Sequence, residues 1–468
     1  MAKDLRSWIE EIKQAAPKEL VTVEFPVDPK WEVTAAAQLL EENDPSPAVL
    51  FENVRDLRAR RSPVRLITNI HGSRVKLGLT YGIAPEVVRR DPAAPTVEMA
   101  RRAEKRVPPV CINRSEAPCK QRVYRKEEMD LLSFPAVTQH ELDVGPYFTT
   151  IVVAADPDTG VHNLSWHRMM VKGPDRGGIF IVPRHLWDFY RRAEARGEGL
   201  PVAYILGHHP AFLEGASWTL AIEESEYDVI GAQLDEPVRV TPSECWGDKL
   251  LVPADAEVVL EGVILPKVRE SEGPFSEWTG YYCPERLSPI FELRAVTSRH
   301  EPIMVNKLMG HHPHRDRLGV YGMEATALKR IREIVPDVIA LNLAGYHMQG
   351  FIQMRKRREG DAQRAAMALL SSLLQVKHVF IFDEDVDIFN PAEVLWALAS
   401  RVQAGSDVEI LRNLRSSGLD PSIDEGDISD GMIVDATKPL HRPFAQRIKL
   451  PPEIVAATRK RLKEEGFL

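Results

Sequence analysis

Between about residues 110 and 310 the chain sets short apolar runs, at 148–154, 178–182, 202–206, 258–264 and 290–296, between turns built from Gly, Pro and Asp. Several strands of this length in close succession predict a barrel or a strongly curved sheet. On either side the pattern changes. Residues 1 to about 105 alternate helical and strand-like segments, then turn basic at Arg101, Arg102, Lys105 and Arg106 before a break at Val107-Pro108-Pro109. After about 315 the alternation returns, with a helix expected over 323–334, a strand over 338–343 and a helix over 361–374. A buried strand, Val379-Phe380-Ile381-Phe382, then leads to a helix opened by Asn390-Pro391, where proline suits a first turn. This is α/β architecture in layers.

A chain of 468 residues is too long for one core. The expected division is an N-terminal α/β domain over 1–107, a β-rich domain over 108–315, a C-terminal α/β domain over 316–440 and a tail over 441–468. The tail carries Ile454, Val455, Thr458 and Leu462 at helical spacing, which suits an ordinary packed or solvated terminal helix, or a contact with another subunit.

Charge is mixed along the chain, 68 acidic against 60 basic residues for a net −8, with no long block of one sign, which argues against nucleic acid or an anionic membrane as partner. Four scattered cysteines, Cys111, Cys119, Cys245 and Cys283, make neither a disulfide framework nor a zinc knuckle and fit a reducing compartment. The first helix, with Leu5, Trp8, Ile9 and Ile12 behind a capping Asp4, is amphipathic and interrupted by charges, unlike a signal peptide. No run approaches the roughly 20 apolar residues of a membrane span. A cytoplasmic protein is the expectation.

The densest chemistry lies in Glu272-Gly273-Pro274-Phe275-Ser276-Glu277-Trp278-Thr279-Gly280-Tyr281-Tyr282. Two carboxylates flanking a Gly-Pro turn can point into one cleft, and an apolar setting can push their pKa values apart, leaving one an acid and one an anion. On composition alone a surface turn with two solvated glutamates is the commoner arrangement. Company comes from Asn163-Leu164-Ser165-Trp166-His167-Arg168. Asn163 and Arg168 are an odd number of residues apart, so a regular strand sends them to opposite faces, and a bulge or bend is needed to bring both to one site. His185, after Pro183-Arg184, and Glu226, in Ser225-Glu226-Tyr227, add an imidazole and a carboxylate to the Asn163 amide. That mixed oxygen and nitrogen set suits Mn2+ or Mg2+.

Taken in order, Asn163-x4-Arg168, His185, Ser225-Glu226-Tyr227, Glu272-Gly273-Pro274-Phe275-x-Glu277-x-Thr279-Gly280-Tyr281-Tyr282 and Phe382-Asp383-Glu384-Asp385 resemble the UbiD family of decarboxylases over about residues 110–440. The resemblance implies a central split β-barrel that binds a flavin, flanked by α/β regions. It implies that Asn163, His185 and Glu226 hold a Mn2+-type ion against the phosphate of prenylated FMN, with K+ as a further ion. It implies that Arg168, Glu272 and Glu277 form a catalytic Glu-Arg-Glu group with Glu277 as proton donor. Trp166, His167 and Arg168 would lie along the flavin, and Lys356 or its neighbour Arg355 would reach the phosphate. Glutamate at 277, where some members acting on polyprenylated 4-hydroxybenzoates have aspartate, resembles the ferulic acid and (hetero)aromatic acid branches more than the ubiquinone-pathway branch. A carboxylic acid substrate, a flavin prenyltransferase as cofactor supplier and a homodimer or higher homo-oligomer complete the implied picture.

Two other functions compete. A flavin reductase-like or non-catalytic flavin-binding protein could share the barrel, since fold alone does not give function. A metal-dependent hydrolase could be built on His311-His312-Pro313-His314-Arg315, although Pro313 breaks the helix on which paired histidines converge. The same loop suits a site rim, where His311 or Arg315 recognises a second polar group on a substrate. Asp383, Glu384, Asp385 and Asp387 are expected to serve structure, at a helix N-terminus.

Overall fold

The computed structural model describes residues 3–42, 46–125, 127–310, 317–343, 347–423 and 427–467. The loop at 311–315 lies outside them. The apolar runs of the middle region close into a ring of six antiparallel strands: Tyr147–Ala155 (β1), His162–Val171 (β2), Arg176–Ile179 (β3), Leu200–Ile205 (β4), Val258–Glu272 (β5) and Arg286–Ser298 (β6). Around the barrel the order is β1-β2-β3-β6-β5-β4, and β4 returns to β1. Such a ring has no free edge along these strands. β5 changes register against β6 at Glu261/Gly262 and again at Ile264/Arg269, and irregularities of this kind bend a long strand around a barrel.

The wall is covered on both sides, and β1 shows how. Ile151 and Val153 belong to one apolar cluster, with Leu5, Trp8 and Ile12 of the first helix and Phe212 and Tyr227. Phe148, Val152 and Ala154 belong to another, with Tyr204, Phe291 and Phe189. Alternate side chains of a strand leave on opposite faces, so one apolar strand serves two cores. The helix Leu5–Ala15 is capped by Asp4 and buries Leu5, Trp8, Ile9 and Ile12, as its spacing requires.

The N-terminal region forms a four-stranded sheet in the order Leu20–Val23, Ala48–Phe51, Arg65–Thr68 and Ile303–Val305, the last supplied by chain leaving the barrel. The C-terminal region is a five-stranded sheet in the order Val338–Asn342, Gln349–Met354, His378–Asp383, Ile428–Ala436 and Val408–Arg415. Helices Val320–Ile334 and Asp361–Ser372 cover one face through Ala327, Leu328, Ile331, Ala365 and Leu369. Pro391–Arg401 covers the other through Val394 and Ala397. The acidic run after Phe382 serves structure by a different route from the one expected: Asp383 and Asp385 clamp Arg401 near the C-terminal end of that helix, and Lys438 bonds to both.

The tail helix Pro452–Glu464 buries none of its residues. Ile448 and Leu450 just before it are 96% and 72% exposed. Among the described residues no helix is long and apolar enough to cross a membrane.

Candidate active site

β2 is the strand on which the site is built. Its pairing with β1 runs unbroken from Tyr147 opposite Met170 to Ala155 opposite His162, so no bulge separates Asn163 from Arg168. The expectation that a bulge would bring them to one face is corrected: the two leave on opposite faces, as strand parity demands. Both nevertheless line one cavity of about 530 Å3 that follows the strand between the barrel and the C-terminal region. That volume lies within the roughly 300–1,000 Å3 usual for cofactor and small-molecule sites.

At one end Arg168 lies between two carboxylates. Its Nε and one terminal nitrogen donate to the two oxygens of Glu272, both at 2.9 Å, and the other terminal nitrogen donates to Glu277. All three side chains are buried, so the solvated surface turn is not what forms. The turn passes through Gly273, whose φ of +90° favours glycine, and Phe275–Ser276 then pairs with Tyr282–Cys283. The rings of Phe180 and Phe275 pack on the Arg168 guanidinium, with centroids 4.6 and 4.8 Å away. Burial pushes the Glu277 carboxyl above its ordinary pKa against the opposing pull of Arg168.

At the other end the Asn163 amide nitrogen lies 3.1 Å from both oxygens of Glu226, and the Leu164 N–H donates to the same carboxylate at 2.8 Å. Glu226 opens the helix Glu226–Leu234 behind the capping Ser225, and burial raises its pKa to about 8. The Asn163 carbonyl oxygen accepts from Ser165, whose hydroxyl also meets His167 Nε2 at 3.0 Å. His167 Nδ1 donates to the Phe180 carbonyl, and burial lowers the ring to about 4, which keeps it neutral. His185 opens the helix His185–Ala195 and lines the same cavity; burial and then Arg184 lower its pKa. A buried carboxylate, an amide and an imidazole thus line one cavity, donor types that suit a divalent cation, and among the described residues no hydrogen bond joins His185 to the other two.

Trp166 forms wall between the two ends, with its indole N–H donating to the Leu213 carbonyl at 3.1 Å. Gly319 opposes it: φ is +85°, and a Cβ there would meet the Trp166 indole nitrogen at 3.1 Å. Lys356 is not brought to the cavity. Its ammonium is held by Glu359 at 2.9 Å, and Arg355 is held by Glu384. Sequence reasoning missed His347, which stacks on Trp278 at 4.9 Å with 15° between planes. Burial lowers His347 to about 3. No sequence signal pairs these two, because they come from different regions of the chain.

Comparison with known proteins decides the family. Profiles described as the N-terminal, Rift-related and C-terminal domains of 3-octaprenyl-4-hydroxybenzoate carboxy-lyase match residues 13–109, 111–312 and 317–436. The chain belongs to the UbiD family. It is therefore a carboxy-lyase, which sets aside the hydrolase and flavin reductase-like alternatives. The chain is similar to the phenolic acid decarboxylase of Sedimentibacter hydroxybenzoicus, 34% identical with 99% of this chain and 98% of that one covered. The anhydromevalonate phosphate decarboxylase of Methanothermobacter thermautotrophicus is 31% identical, with 93% and 97% covered. Among solved structures, the UbiD-class enzyme HmfF of Pelotomaculum thermopropionicum in complex with FMN superposes with a TM-score of 0.85 at 36% identity, covering 96% of this chain and 97% of that one. An evolved dimeric form of HmfF is known in complex with prFMN. Vanillic acid decarboxylase of Sedimentibacter hydroxybenzoicus in open form gives 0.86 at 32%, covering 99% of each chain. These relatives include decarboxylases named for phenolic acids, vanillic acid and anhydromevalonate phosphate.

Proposed function

We propose that this UbiD-family carboxy-lyase removes CO2 from an aromatic or heteroaromatic acid, with prenylated FMN in the cavity along β2 and a divalent ion at its Asn163 end. The observation that carries the reading is Arg168 between two buried carboxylates, on the strand that also presents Asn163 to Glu226. Aromatic walls at Trp166, Phe180 and Trp278 suit a flat substrate lying against a flat cofactor.

Asn163, His185 and Glu226 would hold Mn2+ or Mg2+ against the cofactor's phosphate. When bound, prenylated FMN supplies the electron sink for the pair left behind as CO2 departs. The chain's residues do the rest. A guanidinium has five N–H donors, and Arg168 uses three of them on Glu272 and Glu277, leaving donors for a substrate carboxylate. The bidentate grip of Glu272 fixes the plane of the guanidinium and so the direction of that carboxylate. Glu277, whose pKa burial raises, delivers its proton to the carbon that lost CO2.

The tail helix, with no buried residue of its own, suits a contact between copies of this chain in a homo-oligomer. The test of function is expression beside a flavin prenyltransferase, absorbance and mass of the bound cofactor, and CO2 release over a panel of aromatic, heteroaromatic and acrylic acids. Prenylated flavin in the protein and release from an aromatic acid are expected. Flavin-free protein, or release from acrylic acids alone, would overturn the proposal.

A further inference from the structure

A second arginine stands behind the Glu-Arg-Glu group. Arg286 opens β6, and the strand register places it directly opposite Glu272 on β5. Its guanidinium lies 4.4 Å from the centroid of Phe180, the ring that Arg168 also packs on at 4.6 Å. Arg286 is half-buried, and its Nε is buried without a hydrogen-bond partner. Among the described residues its hydrogen bond goes to the Cys283 sulfur and not to a carboxylate. A half-buried guanidinium with a desolvated, unpartnered Nε and no anion bonded to it carries part of the cost of a buried charge.

Counting charge shows what it is there for. With Glu277 protonated, as a donor must be before it acts, the group holds Arg168 and Arg286 as cations against Glu272 as anion. One positive charge is left over. We propose that Arg286 is a positioning residue for decarboxylation, supplying the uncompensated charge that makes the site neutral only when a substrate carboxylate is bound. The inference rests on the reading of Glu277 as proton donor. In the reaction, substrate carboxylate and Glu277 acid become CO2, the protonated carbon and Glu277 carboxylate. The C–C bond breaks, its electron pair stays with the carbon by way of the electron sink, and the Glu277 proton ends on that carbon. The negative charge passes from substrate to Glu277, and the buried group stays neutral from bound acid to product. Without Arg286 the remaining three side chains and the substrate would together carry a net negative charge in both states.

The charged groups around Glu277 are Arg168 from β2, Glu272 ending β5 and Arg286 at the start of β6; Tyr147 from β1 faces Glu272, Cys283 in the short strand before β6 accepts from Arg286, His140 and Asp143 hold the neighbouring Ser276, and His347 stacks on Trp278. Of the cations, Arg168 and then Arg286 pull Glu277 toward ionisation.

The test uses flavin-loaded protein and three variants, Arg286→Met, Arg286→Lys and Glu277→Gln, each checked for flavin content and thermal midpoint. Benzoate and its uncharged analogue benzamide are titrated calorimetrically, and the pH profile of kcat/KM is recorded on the acid that releases CO2. Arg286→Met is expected to weaken benzoate about tenfold relative to benzamide, and to move the alkaline limb up by about one pH unit, since losing a neighbouring cation lets Glu277 hold its proton longer. Arg286→Lys restores both. A merely structural arginine would affect benzoate and benzamide alike and leave the limb in place, and that result overturns the inference, as does wild type binding the two probes equally. If Glu277→Gln stays fully active, the reading of the donor fails first. If it is inactive while Arg286→Met behaves as wild type, only the role of Arg286 falls.

Discussion

Replacing Glu272 by glutamine separates the two carboxylates that share Arg168. The amide keeps the shape and much of the hydrogen bonding, but removes one of the two anions around a buried guanidinium. Glu272 raises the Glu277 pKa by like charge, and Arg168 opposes it. Two carboxylates on one guanidinium sit roughly 6 Å apart, which at an effective dielectric of about 20 is about 3 kcal/mol, or on the order of two pKa units. The sign is definite: without Glu272, Glu277 loses its proton more readily, and Arg168 is left with Glu277 as the sole carboxylate of the pair. A donor that must be protonated then fails at lower pH, so the alkaline limb of kcat/KM should move down by one to two units, on the order of the coupling just estimated. Stability should suffer less than the roughly 3–5 kcal/mol of a buried charge left alone, because Glu277 can ionise to replace the lost partner. The assay is a pH profile on flavin-loaded Glu272→Gln with cofactor content verified. An activity loss with the limb unmoved, or moved upward, would refute the coupling of the two carboxylates through Arg168.

Glu277→Gln should keep cofactor and substrate binding while decarboxylation falls by about 10²–10⁴-fold, and hydrogen exchange from deuterated solvent into the product's former carboxyl carbon should fall with it. Glu226→Ala, which frees the Asn163 amide and the Leu164 N–H, should lose metal and flavin together, read by metal analysis and absorbance on the same sample. Trp8→Ala opens a cavity where the indole is fully buried and donates to Thr80 at 2.9 Å, and should cost about 3–5 kcal/mol in denaturant unfolding. Truncation after residue 440 should change the oligomer mass measured by light scattering if the exposed tail joins copies; an unchanged mass removes the tail from the interface.

Strands and helices with one clear period could be read from the sequence. The apolar runs at 148–154 and 258–264 became β1 and the first half of β5, and the spacing in the first helix matched its burial. The strand Gln349–Met354 and the hairpin of Val408–Arg415 with Ile428–Ala436 gave no such signal: one is short and interrupted by glycine, and Val408–Arg415 is an edge with no fully buried residue. The candidate site residues could be named by type and order, yet the contact of Asn163 with Glu226 could not. Lys356 shows the limit of matching by position, since a local pair with Glu359 holds the ammonium outside the cavity.

β2 was the least legible strand and is the most consequential. A half-buried strand announces itself by alternating apolar with polar residues, but His162–Val171 carries Asn163, Ser165 and His167 on one face and Leu164, Trp166 and Arg168 on the other. One face builds the chain of hydrogen bonds from Glu226 through Asn163 and Ser165 to His167. The opposite face sends Arg168 to Glu272 and Glu277. A helix would have to curve or unwind to offer two such sites a few residues apart, whereas a strand does so by parity alone, provided that something encloses both faces. The closed barrel fixes the strand from both neighbours, and the C-terminal region covers it through Gly319 and His347. The absence of hydrophobic alternation, which hid the strand from sequence reasoning, follows from the function proposed for it.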